Sequence, residues 1–174
     1  LAGRIADGVI LMGGANAEFT AWQIDHVRLG AEQAGRSIDD IKLDLWAAIG
    51  LSDDRAEAVG EIRHWVASQA ETFSKWRELP GFLKPFSDEF KSVSAAYDRL
   101  EHMSKHARHV ESVSQELVEY LAFVGTAADC LARIRSLEPL GLDRVTLAFQ
   151  AGGRQERMEA IHSGIIAPLN ASVT

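Results

Sequence analysis

From Ile41 to Leu51 the chain alternates apolar residues (Ile41, Leu43, Leu45) with polar ones (Lys42, Asp44), then turns apolar at every position from Trp46 to Ile49. A period of two marks a strand, and the loss of polar positions means that both faces become buried, as in a parallel sheet. Parallel strands need crossovers of a dozen or more residues, usually helical. One follows at once: Ser52-Asp53-Asp54 offers N-cap residues, and Val59, Ile62, Val66, Ala70 and Phe73 recur at helical spacing.

The same alternation of strand and helix runs through the chain. The apolar run Gly8 to Met12 precedes the turn Gly13-Gly14-Ala15-Asn16 and a helical stripe of Phe19, Trp22, His26 and Leu29, predicting a helix over about 17–34 with Gly35 as its stop. Ser114 is positioned to cap a short helix through Leu121. Thr126, with Asp129 three residues on, has the pattern of a capping box. Arg144 to Phe149 reads as a strand, Gln150 to Gly153 as a glycine-rich loop, and Met158, Ile161 and Ile165 as a last helix closed by Pro168. Three parallel strands are expected, near 8–12, 42–50 and 144–149, in a single α/β domain over 1–174. From 74 to 111 the pattern is broken by Pro80, Gly81 and Pro85, and this segment is expected to be a helical insertion.

Charge and composition narrow the partners. Eighteen Lys and Arg against twenty-five Asp and Glu leave a net charge of −7, which opposes binding to a phosphate backbone, so no nucleic acid is expected. No apolar run approaches the roughly 20 residues that span a bilayer, so no membrane partner is expected either. Cys130 is the only cysteine, which excludes an internal disulfide and fits a reducing, cytoplasmic setting. The helical stripe that carries Cys130 makes it an inert core residue. The aromatic residues Phe19, Trp22, Trp46, Trp65 and Trp76 are read as core packing rather than as a stacking platform.

Four segments together carry a family resemblance. Leu1-Ala2-Gly3-Arg4-Ile5-Ala6-Asp7-Gly8 resembles "LAGxxADG", and Gly30 to Arg36 resembles "GAxxAGR". Asp53 to Ala58 resembles "DDRxEA". Phe123 to Thr126 with Gly141 to Val145 resembles the ending "GTPxxxxxxL…GvDxv". All four occur in this order in the luciferase-like flavin- or deazaflavin-dependent oxidoreductases, which include the F420-dependent methylenetetrahydromethanopterin reductases and dehydrogenases. The resemblance implies a (β/α)8 TIM barrel of about 250 residues, of which this chain is the C-terminal portion, strands six to eight with the helical insertion. Strands one to five are then expected upstream of Leu1, and an open barrel is expected to form a homo-oligomer. It also implies FMN or coenzyme F420 as cofactor, a small-molecule substrate, and reductase or monooxygenase chemistry, with most catalytic groups in the upstream half. The alternatives are a non-catalytic, cofactor-free barrel homologue and a phosphate-binding isomerase or aldolase barrel.

Barrel active sites use the loops after the strands, which nominates two groups for the cofactor. Gly13 and Gly14 follow the first strand, where backbone N–H groups and a helix N-terminus favour an anion, although they also serve simply to turn the chain. Gly152, Gly153 and Arg154 follow the last strand, where Arg154 is either an anion ligand or an exposed first-turn residue. In the insertion, Tyr97, Asp98, His102 and His106 are candidates for the substrate side, against the alternative of a solvated polar face. His102 and His106 stand four apart, as on one helix face, but Met103, Ser104 and Lys105 between them provide no HExxH glutamate, so no metal is expected.

Overall fold

The computed structural model describes residues 1–149 and 153–171. After the short helix α1 (Ala2–Ile5), the strands β1 (Gly8–Leu11), β2 (Lys42–Leu51), β3 (Phe123–Gly125) and β4 (Arg144–Ala148) form one four-stranded sheet in which every pairing is parallel. β1 and β4 both pair with Asp44 and Leu45 of β2, so they flank it on opposite sides, and β3 pairs with Ile49 to Leu51 at its end. β3 is a strand the sequence pattern does not reveal.

The alternation along β2 divides the molecule. Leu43, Leu45, Ala47 and Ile49 are buried against Ile24, Val27 and Ala31 of α2 (Ala17–Glu32) and against Cys130 and Ile134 of α6 (Ala127–Arg135). Ile161 of α7 (Arg154–Ile161) completes this cluster. Burying such side chains contributes about 1.5–3 kcal/mol each. Thr126 and Asp129 close the reciprocal capping box that the sequence suggests, and Asn16, read from the sequence only as part of a turn, caps α2 by accepting the Phe19 N–H at 2.9 Å.

On the opposite face of β2 lies a second cluster, built by α3 (Arg55–Phe73), α4 (Ser87–Ala96) and α5 (Gln115–Leu121) around Ile62, Val66, Phe73, Phe90, Val93 and Leu117. The backbone of α3 comes so near the sheet that a Cβ on Gly50 would lie 2.1 Å from the Ala58 carbonyl oxygen. Asp54 caps α3 as its sequence suggests, yet the helix that packs on the outer face between β2 and β4 is α6. The apolar stripe of α3 matches a crossover helix in spacing, but it is shared between the end of β2, at Ala48 and Gly50, and the helices α4 and α5.

Two further elements depart from the sequence pattern. The helical stripe continuing through Tyr97, Leu100 and Met103 stops at Ala96. The Asp98 carboxylate accepts the Leu100 N–H at 2.8 Å, an Asx turn that competes with helix, and Met103 has a positive φ of 65°. His102 and His106 therefore do not share a helix face. At the C-terminus, Pro168 does not end the helical segment: a π turn (His162–Ile166) joins α7 to α8 (Ala167–Ala171). The widened turn sits just before the residue that has no N–H to contribute.

Candidate functional site

The inner face of the sheet, opposite α2 and α6, is where chemistry-bearing side chains gather. Lys42, Asp44 and Trp46 alternate with the buried residues of β2 and project here. Thr146 on β4 donates its hydroxyl to Asp44, at 2.9 and 3.1 Å from the two carboxylate oxygens, and Arg144 stands 3.9 Å from the same carboxylate. Beneath them Lys42 and Asp143 pair at 2.7 Å, and Asp143 also accepts the Leu43 N–H at 2.9 Å. The hydrogen bond from Lys42 holds the Asp143 carboxyl below the usual carboxylate range.

Above this row Trp46 meets Trp65 of α3, ring centroids 5.1 Å apart and planes inclined at 60°. The indole nitrogen of Trp65 is buried without a hydrogen-bond partner among the described residues, a donor left available in an aromatic wall. Further along, Glu61 of α3 and Arg157 of α7 form an ion pair, both side chains mostly buried, that fastens the helix after β4 to α3.

The glycine loop after β1 is buried. A Cβ on Gly13 would lie 2.7 Å from the Gln23 side-chain oxygen and 3.0 Å from the Thr20 hydroxyl. Gly14 has φ +63°, and a Cβ there would lie 2.0 Å from the Leu121 carbonyl oxygen, which accepts the Ala15 N–H at 3.0 Å. The close backbone approach that glycine permits at this position is thus made by α5. Gly153, in the left-handed conformation, precedes α7, and Arg154 is exposed in its first turn. Gly152 lies outside the described residues.

In the insertion, the Tyr97 hydroxyl and His102 Nδ1 are 2.6 Å apart, and Tyr97 stacks on the buried His109 ring at 4.1 Å. The Asp98 N–H donates to His109 Nδ1 at 3.3 Å. Burial, the largest influence, holds His109 below the ordinary histidine range against the opposing pull of Glu101 and Asp98. His106 does not join this group; it lines a separate pocket with Arg63 and Lys105. Among the described residues, no hydrogen bond, ion pair or ring contact links Tyr97, Asp98, His102 or His106 to Gly13, Gly14, Gly153 or Arg154.

Asp44, Trp46, Trp65 and Thr146 are site candidates that sequence reasoning did not nominate. The signal was the pair of polar positions, Lys42 and Asp44, in an otherwise apolar strand. Among the described residues no group of three or more His, Cys, Asp or Glu is placed to hold a metal ion, and no helix is long and apolar enough to cross a membrane. The Cys130 thiol is pushed up to about 12 by burial, which keeps it protonated and unreactive.

Comparison with known proteins agrees with this architecture. The F420-dependent glucose-6-phosphate dehydrogenase of Nakamurella multipartita is 29% identical over 154 residues, covering 79% of this chain and 45% of its own length. The coenzyme F420-dependent tetrahydromethanopterin reductase of Methanopyrus kandleri matches 95% of this chain and 46% of its own, with a TM-score of 0.72 at 18% identity. A long-chain alkane monooxygenase matches 92% of this chain and 36% of its own, with a TM-score of 0.51 at 20% identity. The chain spans about half the length of the curated relative it matches, and the two structures share its fold. The model of the luciferase-like monooxygenases matches residues 1–144, and the chain belongs to that family.

Proposed function

We propose that this chain forms one side of the cofactor mouth in a flavin- or deazaflavin-dependent oxidoreductase acting on a small organic substrate. The observation that carries the reading is the inner face of β2 and β4, where Asp44, Thr146 and the Trp46–Trp65 pair gather on the side away from α2 and α6. Family membership favours redox chemistry over the isomerase or aldolase alternative. Of FMN and coenzyme F420, we favour F420, because a relative sharing 29% of its residues is F420-dependent.

The residues fit a flat, polar-edged ring system. Trp46 and Trp65 supply an aromatic wall, and the unpartnered Trp65 N–H supplies a donor at its edge. Asp44, held by Thr146, is an acceptor fixed in direction. In this reading Gly152, Gly153 and Arg154 meet a phosphate of the cofactor, and Tyr97 and His102 meet substrate. The bound group supplies hydride transfer, and the protein binds and orients it. In this reading β1, β2 and β4 take the places of the last three strands of an eight-stranded barrel.

Fluorescence titration of the protein with coenzyme F420 and, separately, with FMN tests the proposal. Saturable binding of F420 is expected, weakened about tenfold in Trp46→Ala, given the 0.5–1.5 kcal/mol an aromatic pair contributes beyond its buried area. Absence of saturable binding by either cofactor would refute it.

A further inference from the structure

A second site lies on the other side of α3. Successive helix positions turn by about 100°, so Arg63, two residues from both Glu61 and Trp65, points away from the sheet and its mouth. It lines a pocket of about 440 Å³ with Gly60, Lys105, His106, Val110 and Glu111, between α3 and the turns that precede α5.

Three features set this pocket apart. In a chain of net charge −7 it collects Arg63, Lys105 and His106, and among the described residues none of these side chains has a hydrogen-bond or ion-pair partner. The Arg63 Nε is buried without a partner among the described residues, although leaving such a donor unsatisfied is normally destabilising. Gly60 sits in the interior of a 19-residue helix, where glycine is unfavourable against alanine. Packing does not require it, because nothing lies within 4 Å of where its Cβ would be. Its absent side chain leaves the pocket open. The field reaches the buried His64 beside Arg63: burial and then the Lys105 charge hold that ring below the ordinary histidine range, and its Nδ1 has no partner among the described residues.

We propose that Arg63, Lys105 and His106 bind the phosphate group of a small phosphate monoester, at a site separate from the cofactor mouth. The guanidinium offers paired donors to two phosphate oxygens, and Lys105 and His106 add charge and a further donor. The volume exceeds what a phosphate alone needs and falls within the range of small-molecule pockets. Val110 and Glu111 are left to meet the organic part, Glu111 as an acceptor for a hydroxyl.

The test is thermal unfolding and calorimetric titration of the 174-residue chain with glycerol 3-phosphate and with inorganic phosphate, against sodium chloride at matched ionic strength. Saturable stabilisation by glycerol 3-phosphate, tighter than by inorganic phosphate, is expected. Arg63→Met should weaken it roughly tenfold or more, and Arg63→Lys should restore part of the loss. Gly60→Leu, which keeps every cation but fills the pocket, should abolish it while circular dichroism stays unchanged. Equal affinity for the two probes, an unsaturable response matched by chloride, or binding untouched by Arg63→Met and Gly60→Leu would overturn the proposal.

Discussion

The guanidinium of Arg133 donates to the carbonyl of Ala15 at 2.9 Å, joining α6 to the loop after β1. The same group donates to the Glu119 carbonyl at 2.6 Å and the Ala122 carbonyl at 2.9 Å, and reaches that of Tyr120 at 3.5 Å. These belong to the C-terminal turn of α5, where helix carbonyls lack partners and the dipole favours a cation. One half-buried side chain thus caps α5 and ties it to the loop after β1. Arg133→Met should destabilise the fold by about 3 kcal/mol, since several buried acceptors lose their donor together. Urea unfolding should show a lower midpoint at unchanged m.

Gly14→Ala tests the neighbouring contact. The new methyl would stand 2.0 Å from the Leu121 oxygen in a left-handed backbone, so either α5 or the loop must move. A loss of at least about 2 kcal/mol is expected, read as a drop in Tm. The same substitution at Gly60, with open space around it, should leave Tm equal or higher. Equal effects at both positions would contradict the assigned packing.

What the sequence reveals about this fold depends on range. Local grammar is legible: the Thr126 capping box, the Asp54 cap and the parallel strand of β2 all follow from residues within a few positions of one another. Long-range partners are not. The stripe on α3 shows that one face is buried, not that α4 and α5 cover it. Phe123-Val124-Gly125 is too short to show alternation, and β3 becomes a strand only because β2 extends past β1 to pair with it. At the site, Gly13-Gly14 is visible as a turn, whereas the Leu121 carbonyl that occupies the space beside Gly14 comes from a remote segment. Asp44 is visible as a polar position, but its meaning depends on Thr146 arriving from β4.

The two buried histidines make stability depend on pH. His64 and His109 both lie below the ordinary value of 6.5 in the folded state, burial being the main cause in each. The unfolded chain therefore takes up protons near pH 6.5 that the folded chain refuses, so the contribution is fully present above that pH and is lost as pH falls toward the folded-state values. Urea unfolding between pH 7.5 and 5.5 should show declining stability in the wild type. His109→Phe keeps the stack on Tyr97 without a titrating ring, and combined with His64→Leu it should flatten the slope. An unchanged slope in the double variant would assign the dependence to other groups.

Among the described residues β1 and β4 each pair only with β2, so each leaves one edge unpaired. Ile10 and Met12, on and just after β1, are 68% and 47% exposed. Exposed strand edges beside apolar side chains invite pairing with another chain, and self-association of the 174-residue chain is the expected outcome. Because apolar contact drives it, sulfate should strengthen the association, whereas a purely electrostatic contact would weaken as salt screens it. Ile10→Lys with Met12→Lys places two charges on that surface and should move the elution peak toward the monomer in size-exclusion chromatography. A wild-type protein eluting as a monomer at every concentration, with the double variant indistinguishable from it, would show that this face needs no cover.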